Sequence, residues 1–491
     1  MKTSRNIKKE RIIVSAETIE QFQLESRRRK ARNSLLHYTK EIMPYYRINW
    51  HHAVIAKYLE LVEKGVLKRL LILTPPQHGK SELASIAFPS WYKGRHPERN
   101  VLATSYSASL ANNFGRKTRN IVQDDLTFRV IFPELEVADD SHAVNKWVTR
   151  KRDDPRKMEG SYEAAGIGGA ITGKRAHIAI VDDPLKNMEE AYSSNIREAH
   201  WDWFHSALTT RLSPNGAVIV IMTNWHDDDL GGRIQEEARN DIKRGKKPFD
   251  TWVTLKFPAI AEDDEEFRKK GEALWADEYS ADILLDRKSR MPEKIWRSVY
   301  QQDARSAEGT ILRRDAWGWY KELPDIEPIQ IVQCWDTAQE IGKSNDWTVC
   351  TTWAEYETGY YLLDIWRKRV QYPELVKQIY ILNNEYSADA ILVENKSSGV
   401  ALIQELKRDA KLDVIGVEPK QRSKQVRLLS VIPAIESRRV KLPDPKYIKA
   451  DWLESFLDEC AGFDSYPYDD QVDSMVYALE YMRRGHPMIS I

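Results

Sequence analysis

The chain has 491 residues, of which 42% are hydrophobic, and this length exceeds what one hydrophobic core usually supports, so two domains are expected. Lys and Arg total 74, as do Asp and Glu, which disfavours a protein that coats nucleic acid along its whole surface. The cysteines Cys334, Cys350 and Cys460 form no CxxC pair and favour neither a disulfide framework nor a zinc finger. No apolar run approaches the about 20 residues that span a bilayer, so a soluble, unexported protein without a membrane partner is expected.

The first region of the chain is predicted to contain a helical extension followed by a parallel sheet. Residues 1–48 are charge-rich, and the basic run at 27–32 is typical of a solvated helix face, with a DNA or docking contact as the alternative. Strands are predicted at 69–73, 100–106, 177–181 and 217–222, and helices at 108–122 and 194–212. Continuously apolar strands separated by helices predict an α/β domain with a parallel sheet over residues 49–300.

The second region has a different order of elements. Residues 301–328 include a proline-spaced stretch and are expected to form a linker. Beyond them, strands are predicted at 329–337, 348–356 and 359–366, followed by a helix at 373–386 and a strand at 390–394. Three hairpin-linked strands followed by a helix and a strand is the order of a ribonuclease-H-like core. Residues 329–491 are therefore expected to form a second domain with a mixed sheet.

The clearest local motif is a phosphate-binding loop. Between the strand at 69–73 and a helix predicted at 82–88 lies Thr-Pro-Pro-Gln-His-Gly-Lys-Ser, and a P-loop requires this context. Backbone N–H groups in such a loop cradle the phosphates, Lys80 reaches the β- and γ-phosphates, and Ser81 holds Mg²⁺. Thr74 replaces the usual first glycine, and two prolines remove donors. The predicted nucleotide-binding residues are Gln77, His78, Gly79, Lys80, Ser81 and Asp182.

Two acids follow a second apolar strand. His-Ile-Ala-Ile-Val-Asp-Asp at 177–183 is a Walker B arrangement, in which the first acid orders Mg²⁺ through water. Asp182 takes that role as a metal ligand, and Asp183 is the catalytic acid expected to polarise the attacking water. The usual residue at the second position is a glutamate, which is one methylene longer. A helix-capping aspartate before Pro184 is the alternative, and it accounts for only one of the two acids.

Polar residues end the next predicted strand. Thr223 and Asn224 follow the strand at 217–222 and could sense the γ-phosphate, as a polar residue does at this place in motor ATPases. Ordinary strand-end capping is the alternative. Hydrolysis of this type also benefits from an arginine finger, which contributes about 10³–10⁵ in rate. Arg175 and Arg211 are candidates for it, with surface solvation as the alternative.

Acidic residues recur at the ends of elements in the second region. Asp336 lies in an apolar strand, Glu394 ends another, and Asp469 and Asp470 begin a helix. A carboxylate in an apolar strand is costly unless it is paired or binds a metal. Such acids can hold two divalent ions about 3.5–4 Å apart, which activate water and stabilise the leaving oxygen in phosphodiester cleavage. Helix capping is the alternative for Asp469.

Basic residues follow the second of these carboxylates. Lys396, Lys424 and Arg427 could line a groove that tracks DNA phosphates beside the metals. A solvated surface is the alternative for each of them.

Taken in order, these motifs resemble the large terminase subunits of tailed bacteriophages. The resemblance is carried by TPPQHGKS, HIAIVDDP, IMTNWHDDDLGGRI, QCWDTA, VENKSSG and YDDQVDSMVYAL, and it covers the chain from near Trp50 to Tyr481. It implies a P-loop ATPase domain of the RecA-like (ASCE) type followed by a ribonuclease-H-like nuclease domain. By matching position, it implies Thr223 and Asn224 as the coupling motif. It also implies Asp336, Glu394 and Asp470 as catalytic nuclease ligands, with Asp469 or Asp473 as additions.

The resemblance also implies a function. Such a protein hydrolyses ATP to translocate double-stranded DNA into a procapsid, and it cuts concatemeric DNA by two-metal chemistry. The implied cofactors are ATP with Mg²⁺ for the ATPase and two Mg²⁺ or Mn²⁺ ions for the nuclease. The implied partners are double-stranded DNA, the portal protein of the procapsid, the small terminase subunit and further copies of the chain in a ring, for which a pentamer is expected. The expected location is the host cell cytoplasm, with transient attachment to the procapsid and absence from the mature virion.

Two other functions compete with this one. A helicase-like or repair DNA translocase or nuclease would share the motifs of the first domain, but it would carry a second RecA-like core in place of the carboxylate-bearing unit. A non-catalytic portal-docking protein would have degenerate motifs, whereas this chain has Lys80, Ser81 and the scattered carboxylates.

Overall fold

The computed structural model divides the chain into two compact units. The described residues are 16–138, 143–152, 160–171, 173, 175–247, 251–304, 312–337, 347–396, 398–408, 412–418, 424–463 and 469–484. The first unit comprises residues 1–186, 195–281 and 300–302, and the second comprises residues 187–194, 282–299 and 303–491. The sequence-based limits at residues 49, 300 and 329 stay a prediction about which parts fold independently.

The first unit is built on a sheet that has eight strands in the described part of the chain. They are β1 (Arg69–Leu73), β2 (Val101–Ser105), β3 (Leu135–Val137), β4 (Lys146–Lys151), β5 (Gly160–Gly166), β6 (Ala176–Asp182), β7 (Leu212–Met222) and β8 (Val253–Lys256). The strand order is β3-β4-β5-β2-β6-β7-β1-β8. In this order, every neighbouring pair from β5 through β2, β6, β7 and β1 to β8 is parallel. Strand β4 pairs antiparallel with β3 and β5. The predicted α/β domain with a parallel sheet is confirmed for the six strands from β5 to β8 in this order, and β3 and β4 add antiparallel strands at one edge.

Helices precede and connect these strands. They are α1 (Ala16–Asn33), α2 (Leu35–Ile42), α3 (Trp50–Glu63), α4 (Phe88–Arg95), α5 (Ala108–Asp124), α6 (Leu126–Ile131), α7 (Met188–Tyr192), which belongs to the second unit, α8 (Ser194–Trp203) and α9 (Leu230–Lys243). The helix predicted at 82–88 is instead a π-helical segment, Glu82–Ala87, that continues into α4. The helix predicted at 194–212 ends as an α-helix at Trp203 and continues as π-helical and 3₁₀ turns to Arg211.

The core of the first unit lies on both faces of its sheet. Leu70 and Ile72 join one buried cluster, whereas Leu71 and Leu73 join the other. Successive side chains of a strand point to opposite faces, so a strand covered on both sides must be apolar at every position. The described part of the expected extension, residues 16–48, also contributes to this core, since Tyr38 of α2 is fully buried in the first cluster.

The second unit has a seven-stranded mixed sheet in its described residues. The strands are β9 (Gly318–Tyr320), β10 (Gln330–Asp336), β11 (Thr348–Tyr356), β12 (Gly359–Lys368), β13 (Ala390–Glu394), β14 (Val414–Val417) and β15 (Val440–Pro443). The helices are α10 (Ala281–Ser289), α11 (Glu293–Ile295), α12 (Tyr372–Tyr386), α13 (Ser398–Leu406), α14 (Lys424–Glu436), α15 (Leu453–Ala461) and α16 (Asp470–Arg484). The strand order is β14-β13-β10-β11-β12-β15-β9.

Strands β10, β11 and β12 pair antiparallel, and β13 joins β10 in parallel, which confirms the predicted mixed sheet. The segment expected to be a linker, 301–328, contains β9, which pairs with β15 at the sheet edge. No helix in the described ranges is both long and apolar enough to cross a membrane.

Candidate active sites

The phosphate-binding loop follows β1 and depends on a glycine that nothing larger can replace. Gln77 and Gly79 adopt left-handed backbone conformations, with φ of 63° and 74°. A Cβ atom on Gly79 would lie 2.6 Å from His52 Nε2 and 2.8 Å from Tyr46 Oη. Tyr46 donates a hydrogen bond to Gly79 O at 3.0 Å. The loop is therefore fixed by side chains from the segment that precedes β1.

Two adjacent histidines of α3 support the same loop. The Nε2 atoms of His51 and His52 lie 3.2 and 3.0 Å from His78 O. Burial lowers the pKa of His52 to about 4, so its imidazole is neutral at pH 7 and can donate Nε2–H to this carbonyl. The His78 ring stacks on Tyr279 with ring centroids 4.9 Å apart. Sequence reasoning missed both histidines of α3, because the only signal was a His-His pair outside any motif.

Lys80 reaches the end of a neighbouring strand. Its side chain is buried, and Nζ lies 2.7 Å from Thr223 Oγ1 and 3.0 Å from Asp183 Oδ1. Strands β1 and β7 pair in parallel with Leu73 opposite Met222, which brings Thr223 beside the phosphate-binding loop. The structure thus brings together the predicted phosphate-binding lysine and a predicted coupling residue.

Asp182 ends β6 and accepts hydrogen bonds from two serines. Ser81 donates to Asp182 Oδ1 at 3.0 Å, and Ser85 donates to the other carboxylate oxygen. Burial, and secondarily the charge of Asp183, raises the pKa of Asp182 to about 7. A divalent cation would offset this repulsion, and the oxygen donors of Ser81 and Asp182 fit the ligands that Mg²⁺ prefers. Ser85 was not predicted, although its spacing of four residues from Ser81 indicates a shared helix face.

Asp183 lies in a strained conformation next to Lys80. Its φ is 42°, which is uncommon for a residue other than glycine. The backbone N–H of Thr223 donates to Asp183 Oδ1 at 3.1 Å, and the side chain stays about one-third exposed. Strain of this kind clusters at functional sites, where the surrounding structure maintains it. The carboxylate is held at the sheet edge and is accessible to a ligand there.

The other residues predicted for the ATPase site lie farther from Lys80 and Ser81. Asn224 contacts Gln302, with its backbone N 2.9 Å from Gln302 Oε1. Arg175 immediately precedes β6, whereas Asp182 ends it, and a strand of this length spans about 20 Å at about 3.3 Å per residue. Arg175 donates to Ser213 Oγ at 3.1 Å. Arg175 therefore lies far from the nucleotide site of its own chain, and its role as an arginine finger that acts on another copy stays a prediction.

A cavity of about 510 Å³ adjoins the phosphate-binding loop. Its lining combines aromatic rings with polar groups: Tyr45, Tyr46, Arg47, Gln77, Gly79, Glu82, Trp275, Glu278 and Tyr279. Tyr279 donates to Gln77 Oε1 at 2.9 Å, and an ion pair of 2.7 Å joins Arg47 and Glu278. Sequence reasoning missed this cavity because its walls come from three separate segments of the chain.

In the second unit, sheet register brings Asp336 and Glu394 together. Strands β10 and β13 pair in parallel with Trp335 opposite Val393, so Asp336 and Glu394 lie side by side where the strands end. Tyr477 of α16 donates to Glu394 Oε1 at 2.9 Å. Two of the predicted nuclease carboxylates therefore meet at one sheet edge.

Helix α16 brings further carboxylates to Asp336. The helix is anchored on β10 because Ser474 Oγ donates to Cys334 O at 2.7 Å. The pKa of Asp336 is raised well above its usual value, chiefly by burial and then by the charges of Asp473 and Asp470. Of these two acids, Asp473 raises the pKa of Asp336 more than Asp470 does, although the resemblance implied Asp473 only as an additional metal ligand. Burial also raises the pKa of Asp470, to about 6.

A lysine neutralises two of these acids. Lys424 Nζ lies 2.7 Å from Asp469 Oδ2 and 2.7 Å from Asp473 Oδ2. Among the residues that the structure describes, no three His, Cys, Asp or Glu side chains are already arranged to hold a metal ion. Carboxylate oxygens are nonetheless the ligands of Mg²⁺ and Mn²⁺, and their crowding around Asp336 fits a divalent cation.

The predicted DNA contacts differ in exposure. Lys396 is exposed and Lys424 is about half exposed. Arg427 is only 5% exposed, its guanidinium carbon lies 4.6 Å from the Tyr477 ring centroid, and Nη2 lies 3.3 Å from Asp473 Oδ1. Burial contradicts the DNA contact expected at Arg427, because its charge faces a carboxylate inside the unit. Arg427 instead positions Asp473.

Two family models match the chain. The model described as "Terminase large subunit, T4likevirus-type, N-terminal" matches residues 71–296, and the model described as "Terminase RNaseH-like domain" matches residues 333–482. Together they cover about three quarters of the chain and include every motif described above for the two sites. A comparison with curated proteins gave no match.

Solved structures of large terminases, or of one of their domains, match the chain at low sequence identity. The large terminase of a thermophilic bacteriophage, solved in complex with ADP, has 11% identity and a TM-score of 0.43, with 87% of this chain and 99% of that chain covered. The HK97 bacteriophage large terminase has 15% identity and a TM-score of 0.36, with 84% and 90% covered. The large terminase nuclease of the thermophilic phage G20c, with bound zinc, has 20% identity and a TM-score of 0.25, with 34% and 94% covered. It is the two family models, matched in order and over both sites, that show the chain to belong to the terminase large subunits, the ATPase and nuclease enzymes that package viral DNA.

Proposed function

We propose that this chain hydrolyses Mg²⁺–ATP at the loop around Lys80 and cuts concatemeric DNA at the carboxylates around Asp336 while it packages DNA into a procapsid. The observation that carries the ATPase half is the position of Lys80 Nζ, which contacts both Thr223 and Asp183. A phosphate group that enters the loop would compete for this ammonium. Its arrival is therefore expected to release Thr223 and Asp183 for sensing and for water activation.

Each ATPase residue has a distinct role in this proposal. Ser81 and Asp182 would hold Mg²⁺, which supplies charge neutralisation to the phosphates when bound. Lys80 binds the β- and γ-phosphates, and Asp183 orients the attacking water and accepts its proton. Thr223 reports the presence of the γ-phosphate, because its hydroxyl and its backbone N–H contact Lys80 and Asp183.

The nucleoside part of ATP is proposed to enter the cavity beside the loop. Its volume of about 510 Å³ lies within the about 300–1,000 Å³ typical of ligand sites. Tyr45 and Tyr279 are aromatic groups on its wall, and Tyr45 is 73% exposed, so its ring is free to cover a base. A Tyr45→Ala variant should raise the KM for ATP while it leaves kcat within a few-fold. A fall in kcat as large as the rise in KM would mean that the base binds elsewhere.

The nuclease is proposed to use two divalent ions, Mg²⁺ or Mn²⁺, held by Asp336, Glu394 and Asp473. These ions would activate water and stabilise the leaving oxygen when bound. Asp473 is proposed as the third ligand because it is 6% exposed and contributes more than Asp470 to the raised pKa of Asp336. Lys424 would leave Asp473 when ions bind and could then contact a DNA phosphate, as could Lys396.

The decisive experiment separates the two activities in the full chain. Lys80→Ala should abolish ATP hydrolysis and retain Mn²⁺-dependent cutting of plasmid DNA, and Asp336→Ala should do the reverse. Lys57→Ala and Glu357→Ala, at exposed positions outside both sites, serve as matched controls and should keep both activities. Loss of both activities in either site variant, with the fold intact by circular dichroism, would exclude two separable sites.

The assembly is proposed to involve the portal protein, the small terminase subunit and a homo-oligomeric ring, with a pentamer expected. The ring would act in the host cell cytoplasm, attached transiently to the procapsid and absent from the mature virion. Light scattering of the chain alone, and of purified portal with and without the chain, tests the ring, and a chain that keeps the mass of one copy and adds no mass to the portal would contradict it. Immunoblotting of purified virions tests the location.

A further inference from the structure

The first unit has a polar cavity on the edge of its sheet opposite the phosphate-binding loop. Strands β2, β6, β7 and β1 are neighbours and run parallel, so their amino ends share one edge and their carboxyl ends the other. The loop, Asp182 and Thr223 follow the carboxyl ends. The amino ends border a separate cavity of about 820 Å³, which we call the strand-start cavity. Among the residues that line it, only Arg175 was given a role from the sequence, as a candidate arginine finger.

Positive charge dominates the lining of the strand-start cavity. Lys68 immediately precedes β1, Arg99 lies two residues before β2, and Arg175 immediately precedes β6, and all three line the cavity. Lys64 and Arg95 add two further cations. Because β2 and β6 are adjacent and only β7 separates β6 from β1 in this parallel part of the sheet, residues placed just before these three strands lie at the same sheet edge.

The acidic groups nearby balance only part of this charge. Glu63 is the acidic residue among the described residues that line the cavity. Its Oε1 lies 2.7 Å from Arg95 Nε and 2.8 Å from His96 Nε2. Glu98 lies 3.8 Å from Arg99 Nε. Lys68 donates to Asn215 and Arg175 donates to Ser213, which are neutral acceptors. The edge of the sheet therefore carries unbalanced positive charge in a concave site.

The cations also lie close enough to act on one imidazole. His177 is the second residue of β6, and its Nδ1 accepts a hydrogen bond from Asn100 N at 3.0 Å, which leaves Nε2 as the donor. Burial, followed by the charges of Arg99 and Arg175, lowers the pKa of His177. Arg99, Arg175 and His177 line the same cavity, and Glu98 offsets only part of the effect of the two guanidinium groups on this ring. An anion between them would relieve their repulsion and accept hydrogen bonds from them.

The lining recognises charge rather than a nucleobase. Its aromatic residue, Tyr92, is 1% exposed, and its ring packs near Phe88 and His96 with centroids 5.9 and 5.0 Å away. Tyr92 Oη accepts a hydrogen bond from Arg99 Nη1 at 3.3 Å, so the ring has no free face on which a base could stack. Guanidinium and ammonium groups without a stacking surface are the contacts that proteins make to phosphate.

We propose that the strand-start cavity is a second phosphate-binding site of this chain, which takes either backbone phosphates of DNA or the polyphosphate of a free ligand. The cavity shares no lining residue with the cavity beside the phosphate-binding loop. Only the DNA source rests on the proposed packaging function, and neither source requires ATP hydrolysis or DNA cutting. Binding measurements therefore separate failure of this site from failure of the proposed function.

The test uses the full chain with Lys80→Ala, which weakens the phosphate-binding loop, in buffer with EDTA to prevent DNA cutting. One arm titrates inorganic tripolyphosphate by calorimetry, and the other titrates a fluorescent 30-base-pair duplex at several salt concentrations. In both arms, the Lys80→Ala chain is compared with the same chain that also carries Lys68→Ala and Arg99→Ala. The charge-matched control is the pair Lys243→Ala and Arg244→Ala at the exposed end of α9.

Loss of the two cations should weaken binding at least about tenfold in one arm, since each hydrogen bond to a charged group contributes about tenfold or more to affinity. In the DNA arm, the slope of log K against log salt should also fall by about two, one for each lost phosphate contact. An effect on tripolyphosphate alone identifies a free ligand, and an effect on the duplex alone identifies the DNA backbone. If both arms match the Lys243 and Arg244 control, and thermal unfolding shows an intact fold, the proposal is overturned.

Discussion

Asn224 donates two hydrogen bonds to Gln302, one from its backbone N to Oε1 at 2.9 Å and one from Nδ2 to the backbone O at 3.1 Å. Both residues are buried, and Gln302 has a φ of 56°. Asn224 directly follows Thr223, which contacts Lys80, while residues 303–491 beyond Gln302 belong to the second unit. The end of β7 is therefore bonded on one side to the phosphate-binding lysine and on the other to the last segment of the first unit.

Replacing Gln302 with alanine should destabilise the first unit. The Asn224 backbone N–H would remain buried without its acceptor, which costs about 1–3 kcal/mol in the free energy of unfolding. Urea denaturation of the full chain measures this loss. Asn224→Ala removes the second bond, which Nδ2 donates to the Gln302 backbone O, and because each variant leaves intact the bond that the other removes, the two losses should add.

The neighbouring residue provides a comparison for these variants. Gln301 bonds to the backbone of Ile260, with Ile260 N 3.0 Å from Gln301 Oε1. Gln301→Ala therefore removes a buried acceptor of the same kind and should cost a similar free energy of unfolding. An unchanged free energy of unfolding in Gln302→Ala, beside a loss in Gln301→Ala, would show that the contact between Asn224 and Gln302 contributes nothing.

Thr223→Val is expected to impair ATP hydrolysis through Lys80. Valine has a similar volume but lacks the hydroxyl that lies 2.7 Å from Lys80 Nζ and 3.3 Å from Thr74 O. Loss of a buried hydrogen bond to a charged group should lower kcat/KM for ATP about 10–100-fold. Steady-state phosphate release measures the change. Thr223→Ser keeps the hydroxyl and should stay within a few-fold of the native chain, whereas equal losses in both variants would mean that the methyl group matters instead.

Binding of Mg²⁺–ATP should release a proton near pH 6.5. Because burial and Asp183 raise the pKa of Asp182 to about 7, this carboxyl keeps its proton at pH values where an ordinary aspartate has lost it. A metal-binding carboxylate must be deprotonated, so binding expels the proton and affinity rises with pH until about pH 7. Calorimetry at pH 6.5 in two buffers with different ionisation enthalpies detects the release.

At pH 8.5 the same comparison should show almost no proton release, since Asp182 is already ionised there. Pre-formed Mg²⁺–ATP is used so that protons from free ATP do not contribute. Identical proton counts at the two pH values would mean that Asp182 does not change its protonation state on binding.

Asp473→Asn should abolish DNA cutting, whereas Asp469→Asn should not. Asp473 is buried beside Asp336 and bonded to Arg427, while the Asp469 side chain is 40% exposed and pairs with Lys424. Loss of a metal ligand should lower the rate of DNA cutting by more than the about 10–100-fold that is typical when a residue that only supports a ligand is lost. Plasmid relaxation with Mn²⁺ measures both variants. The reverse ranking would assign the third ligand to the start of α16.

Tyr477→Phe tests the support of Glu394. The variant removes the hydroxyl that donates to Glu394 Oε1 at 2.9 Å but keeps the ring beside Arg427. The concentration of Mn²⁺ that gives half-maximal cutting should rise about 10–100-fold. Tyr481→Phe, one turn later on α16, is the matched control. An unchanged metal requirement in Tyr477→Phe would show that Glu394 is positioned without it.

The local motifs could be predicted from the sequence because neighbours in the chain determine them. The context of strand, Gly-Lys-Ser and helix identifies Lys80 and Ser81, and an apolar strand that ends in two acids identifies Asp182 and Asp183. Strands that are apolar at every position indicate a sheet covered on both faces. Such features depend on side-chain type and spacing, which the sequence contains directly.

Contacts between distant segments could not be predicted in this way. The burial of Arg427 depends on how α14 packs against α16, and the choice between Asp470 and Asp473 depends on which side of α16 faces β10. Arg175 is close to Asp182 in sequence, yet an extended strand separates the two by about 20 Å.

The sequence by itself therefore determined the order of the two enzymes and the residues of the phosphate-binding loop, because local chain geometry fixes both. Only the tertiary structure decided which carboxylates face each other, that Asn224 bonds to Gln302, and that cations preceding three strands converge on one cavity. Sheet register and helix packing set these distances, and both arise from the packing of residues far apart in the chain.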